Sequence, residues 1–113
     1  MHEMAITQSI LDIALSEAEK HRASRVEKIR ICVGEYSGVV PQLIQEYYNI
    51  ISEGTVAERA ELVLRRIPVT VLCRDCGRES RIDKRKVRCP ACGSVQLQLL
   101  TGREFYVESL EVE

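Results

Sequence analysis

Four cysteines stand in two pairs, Cys73-Arg74-Asp75-Cys76 and Cys89-Pro90-Ala91-Cys92, with twelve residues between the pairs and a glycine, Gly77 or Gly93, directly after each. Thiolate is a soft metal ligand, and a C-x2-C turn brings two sulfurs together over backbone N–H groups. The glycine permits the positive φ that such a knuckle tends to need. Two knuckles complete a tetrahedron, so the spacing predicts one structural zinc ion on Cys73, Cys76, Cys89 and Cys92. A saturated set of four cysteines leaves no position for water or substrate, which argues against catalysis at this metal. Two pairs in one short segment also favour metal binding over a thioredoxin-like redox pair.

A second group of donors lies at the start, Met1-His2-Glu3. A histidine near a chain end is usually an ordinary surface residue. At position 2, however, the Met1 amine, the His2 amide nitrogen and the His2 imidazole can close adjacent chelate rings, and the Glu3 amide can complete a planar nitrogen set. Square-planar nitrogen ligation suits Ni(II) or Cu(II). It requires an unblocked terminus and releases protons, so affinity should fall in acid.

The formal charge of −1 conceals a segregation. Between Cys73 and Gly93 lie seven basic residues (Arg74, Arg78, Arg81, Lys84, Arg85, Lys86, Arg88) and three acids (Asp75, Glu79, Asp83), a local +4 that leaves −5 for the remainder. Four thiolates around a divalent cation carry −2, which this basic run would offset. The rival use is a grip on nucleic acid by residues 81 to 88, or more generally a zinc-ribbon binding module. The absence of interleaved aromatic residues and the acidity of the rest speak against nucleic acid. The opening shows neither a basic n-region nor a long apolar h-region, and no apolar run approaches membrane-spanning length. With cysteines in metal-type pairs rather than a disulfide framework, the expected setting is cytoplasmic, with no membrane partner. No Ser/His/Asp set, supported pair of catalytic acids or phosphate loop is visible, so no enzyme is expected.

These donors need a scaffold that 113 residues without Trp and with one Phe must build from Ile, Leu, Val and Ala. Leu11, Ala14, Leu15 and Ala18, widened by Ile6, Ile10 and Ile13, predict a helix from Met4 to about His21. His21 would then meet the negative end of that helix. Alternation of Val26, Ile29, Ile31 and Val33 predicts a strand from Arg25 to Glu35, with Cys32 as a small apolar residue within it. A turn at Gly34–Gly38 precedes a second helix that Pro41 begins and Ser52-Glu53-Gly54 ends, with Tyr47 and Tyr48 half-buried. Ala60 to Leu72 reads as one further strand, Gln98 to Leu100 as hairpin-like, and Glu104 to Val112 as a terminal strand. The expected class is α/β (α+β): a small mixed sheet with two helices in residues 1–70 and 104–113, and an inserted four-cysteine zinc ribbon in 71–103. Glu35, in a glycine-flanked loop, could serve a partner contact or be an ordinary exposed acid.

Met1-His2-Glu3, the turn Gly34-Glu35-Tyr36-Ser37-Gly38-Val39, Glu53-Gly54-Thr55, Ala60-Glu61-Leu62, the two cysteine pairs and Thr101-Gly102-Arg103-Glu104 occur in this order along the chain. In this the sequence resembles the HypA/HybF hydrogenase-maturation nickel chaperones. The resemblance implies a non-enzymatic protein that inserts nickel into the large subunit of [NiFe]-hydrogenase together with the GTPase HypB; some members also serve urease. It implies His2 as the essential nickel ligand with the N-terminal backbone, Glu3 at the nickel site and the partner surface, and zinc on the four cysteines. Cys32 and Tyr36 stand where the family more usually carries aliphatic residues. Monomer and homodimer both remain open.

Overall fold

The computed structural model describes residues 3–83 and 85–113. The elements are α1 (Glu3–Lys20), β1 (Val26–Gly34), α2 (Pro41–Ile51), β2 (Glu61–Ile67), β3 (Thr70–Cys73), β4 (Glu79–Arg81), β5 (Leu97–Thr101) and β6 (Phe105–Val112). The strands form two three-stranded sheets, ordered β2-β1-β6 and β4-β3-β5. The chain divides into two compact units. One comprises the described residues of Met1–Ile31 with Val39–Arg65 and Tyr106–Glu113, and the other comprises Cys32–Gly38 with Arg66–Phe105.

In the first unit the apolar stripe of α1 buries Ile10, Leu11, Ala14 and Ala18, while α2 buries Ile44 and Tyr48 and β1 buries Val26, Ile29 and Ile31. The two helices pack against each other. Beyond α1, the Ala23 N–H donates to Ala18 O at 2.9 Å and the Arg22 N–H to Glu19 O at 3.2 Å, with Arg22 at φ 51°. This is a Schellman ending that carries arginine in the left-handed position usually given to glycine. His21 is exposed, and its Nε2 lies 3.6 Å from Glu17 Oε2. The α2 helix begins at Pro41, whose missing N–H costs nothing in the first turn. Gln45 Oε1 accepts the Leu62 N–H at 3.0 Å, tying that helix to the start of β2.

Tyr48 is fully buried rather than half-buried, because its hydroxyl has a partner: it donates to Ala57 O at 2.6 Å. Tyr47 is the half-buried member of the pair. Burial pushes the Tyr48 phenol from its ordinary 10.0 up to about 12. The folded-state pKa is raised, so this contribution is complete below pH 10.0 and is lost as pH rises toward about 12. Tyr48→Phe should cost about 1–2 kcal/mol at neutral pH by leaving the Ala57 carbonyl without its donor. Urea denaturation at a series of pH values checks both effects, since the variant should lose this alkaline decline.

In the second unit β3 is the central strand, antiparallel to β4 (Thr70 opposite Arg81, Leu72 opposite Glu79) and to β5 (Cys73 opposite Leu97). Val69, Val71 and Ile82 are buried together, with Tyr36, Leu97 and Leu99 packed against them. Cys32 is also buried, as expected of a small apolar strand residue. The stretch from Ala60 to Leu72, expected as one strand, is two strands in different sheets. Pro68 offers no N–H to a ladder, and the next one, from Val69, donates to the Glu35 side chain at 3.1 Å.

Candidate metal centre

Cys73 closes β3, and its N–H donates to Arg78 O at 2.9 Å across the turn that leads into β4. The first knuckle closes when the Gly77 N–H donates to Cys73 O at 2.9 Å, with Gly77 at φ +75°. The second repeats it: the Gly93 N–H donates to Cys89 O at 2.8 Å, Gly93 is at φ +76°, and the Cys89 N–H donates to Ser94 O at 2.8 Å. The knuckles are tied together. The Ser94 hydroxyl, next to the second, donates to the Asp75 carboxylate in the first, and the Arg74 N–H donates to Gln96 O at 2.8 Å.

This folding brings all four Sγ atoms within 4.8 Å of one another. Cys73 and Cys92 are 3.6 Å apart and Cys76 and Cys89 3.7 Å, each pair joining one knuckle to the other. Thiolates about 2.3 Å from a central zinc would sit about 3.8 Å apart along a tetrahedral edge. The donor set therefore fits a tetrahedral soft-metal site. Cys73 and Cys89 are buried, whereas Cys76 and Cys92 are exposed. The Cys76 N–H, 3.5 Å from Cys73 Sγ, is the main influence that holds the Cys73 thiol down to about 6. Cys92 receives a backbone N–H from Ser94, but its contacts with the Cys73, Cys89 and Cys76 sulfurs and partial desolvation outweigh this and push it up to about 12. The sulfurs compete for negative charge, and a divalent cation bound among them would resolve the competition.

A family model described as "Hydrogenase/urease nickel incorporation, metallochaperone, hypA" matches residues 1–112. The chain belongs to the HypA family. It is 39% identical over 113 residues to the hydrogenase maturation factor HypA of Aquifex aeolicus, covering 100% of this chain and 98% of that one. It is 37% identical over 114 residues to the factor of the same name from Caldanaerobacter subterraneus subsp. tengcongensis, with 100% of both chains covered. In fold it resembles a HypA protein solved in solution, with TM-score 0.74, 24% identity and coverage of 100% of this chain and 97% of that one. The solution structure of the Ni metallochaperone HypA from Helicobacter pylori gives TM-score 0.68, 24% identity and coverage of 99% and 97%. HypA-family proteins are metallochaperones in hydrogenase maturation, not enzymes.

Of the other residues singled out in the sequence, Met1 and His2 lie outside the described residues, as does Lys84 of the basic run. Glu3 opens α1 with 4% of its surface exposed, and its Oε2 accepts the Val40 N–H at 3.4 Å, just ahead of α2. Val40 is the N-cap residue of α2 and its side chain makes no capping hydrogen bond, so the Glu3 carboxylate stands beside the otherwise uncapped positive end of that helix. Glu35 is half-buried and accepts the Val69 N–H through Oε1. Asp75 and Ser94 were not singled out from the sequence, although each sits within or beside a knuckle. No helix among the described residues is long and apolar enough to cross a membrane.

Proposed function

We propose that this chain binds Ni(II) at Met1, His2 and Glu3 and delivers it to the large subunit of a [NiFe]-hydrogenase, with structural zinc held by Cys73, Cys76, Cys89 and Cys92. The observation that carries this reading is the match of residues 1–112 to a nickel-incorporation family, on a chain that opens Met-His-Glu. The Met1 amine, the His2 amide and imidazole and the Glu3 amide supply the planar nitrogen set that Ni(II) favours. Glu3 contributes through its backbone, while its carboxylate, engaged with the Val40 N–H, steadies the start of α1. Delivery requires ligand exchange, which a chain terminus permits. A HypB-type GTPase is the expected companion and the cytoplasm the expected setting. Zinc, at a site with no open coordination position, supplies rigidity and no chemistry.

Untagged protein should bind about one Ni(II) per chain. His2→Ala, or an extension placed before Met1, should abolish nickel binding while zinc content stays unchanged. Calorimetric titration with elemental analysis measures both, and nickel affinity should fall as pH falls because protons compete for the nitrogen donors. Undiminished nickel affinity in both variants would overturn the proposal.

A further inference from the structure

A cleft of about 510 Å³ in the second unit is lined by Glu35, Arg66, Arg81, Ile82, Asp83 and Arg85. The three arginines are exposed, and none of them forms an ion pair among the described residues. The two acids in the wall serve the backbone instead. Glu35 Oε1 accepts the Val69 N–H at 3.1 Å, and Asp83 Oδ1 accepts the Arg85 N–H at 2.8 Å.

The cleft is anchored. Ile82 is buried with Val69 and Val71, and its N–H donates to Val69 O at 3.0 Å, which fixes the backbone beside Arg81. Arg66 lies near the end of β2, and the backbone of Arg85 is held by the Asp83 side chain. Three guanidinium groups without ion-pair partners among the described residues, set around a supported concavity, are a receptor for anionic groups, because the planar fork matches carboxylate and phosphate geometry. Two observations select between these. No aromatic side chain lines the cleft for a base to stack on. The carboxylates of Glu35 and Asp83 would repel a dense run of phosphates, yet they leave room for single carboxylates spaced along an extended chain.

We propose that this cleft is a docking site for an acidic peptide segment of a partner protein, held by Arg66, Arg81 and Arg85. It goes beyond the nickel reading and does not depend on it. The docking gives Glu35 a place at a partner surface, with Oε1 retained by the Val69 N–H.

The test uses the full-length, zinc-loaded protein and a short fluorescein-labelled peptide of alternating glutamate and glycine, read by anisotropy at low salt. Replacing Arg66, Arg81 and Arg85 together by glutamine should weaken binding about tenfold or more. Replacing Arg74, Arg78 and Arg88 by glutamine changes net charge equally but lies outside the cleft, and it should have little effect. Equal weakening by both sets would overturn the proposal, as would cleft-dependent binding of tripolyphosphate or oligothymidylate tighter than that of the peptide. If the triple variant loses metal or its native spectrum, Arg66→Gln and Arg85→Gln singly carry the same test, each expected to weaken binding about threefold. No change in either single variant would then count against the cleft.

Discussion

Cys89→Ser should leave the protein without its metal and unfold the segment Arg66–Phe105. Cys89 is 2% exposed and stands 3.7 Å from Cys76 Sγ, so serine would place a hard, poorly coordinating oxygen where the buried knuckle presents sulfur. The loss is large because the apolar core of this unit is small. Its described apolar cluster is Val69, Val71 and Ile82 with three partly buried neighbours, and β4 spans only Glu79–Arg81. Structural zinc sites contribute about 10–16 kcal/mol of apparent folding free energy in small peptides, far more than such a cluster can supply. Elemental analysis should find the metal gone. An amide correlation spectrum should show Val71, Leu97 and Leu99 collapsing toward unfolded shifts while Ile10 and Ile29 in the first unit remain dispersed. Full metal content with an unchanged spectrum would contradict this account. Chelation should act in the same direction. So should acid: with Cys73 held down to about 6 and Cys92 pushed up to about 12, metal uptake at neutral pH must displace protons, and affinity falls as pH falls.

Gly34→Ala should be severely damaging although it adds only one methyl group. A Cβ at Gly34 would lie 2.2 Å from Gly102 O and 2.3 Å from Gly102 C, and 2.7 Å from Arg103 N. These are backbone atoms, so no rotamer change can clear them. The same approach is stitched by hydrogen bonds on both sides: the Gly34 N–H donates to Glu104 O at 2.7 Å and the Tyr36 N–H to Gly102 O at 2.6 Å. Relieving the clash means breaking them and moving Tyr36 off the Val69 cluster. The expected cost is about 3 kcal/mol or more, a drop in Tm of about 10 °C or more. Gly38→Ala is the control. No atom lies within 4 Å of its added Cβ, but φ is +78°, so alanine there pays only the left-handed backbone cost of about 1–2 kcal/mol. Thermal unfolding of the two variants separates the mechanisms, and a Gly34→Ala protein as stable as Gly38→Ala would mean that the backbone contact carries no weight.

Much of the scaffold was legible from side-chain chemistry acting over a few residues. Of the stripe read on α1, Ile10, Leu11, Ala14 and Ala18 are buried and Ile6 and Leu15 partly so, while Ile13 is exposed, and Pro41 opens α2 where its missing N–H does no harm. Legibility failed wherever a distant group decided the outcome. Pro68 was visible, but not that Glu35 would take the Val69 N–H and let the chain pass from one sheet to another. Glu35 read as either a partner contact or an ordinary exposed loop acid, because nothing within a few residues of it reveals a backbone donor 34 positions away.

The amino-acid sequence by itself determined which four cysteines gather into one cluster able to hold a metal ion, because two C-x2-C turns with following glycines encode their own geometry over four or five residues, and it determined the family through motifs strung along the whole chain. Only the tertiary structure decided how the two knuckles meet, with Cys73 opposite Cys92 and Asp75 holding Ser94. The same holds for why Gly34 must lack a side chain, and for which three of the many basic residues share one cleft. Each of these depends on contacts between residues far apart in the chain, which local spacing does not encode.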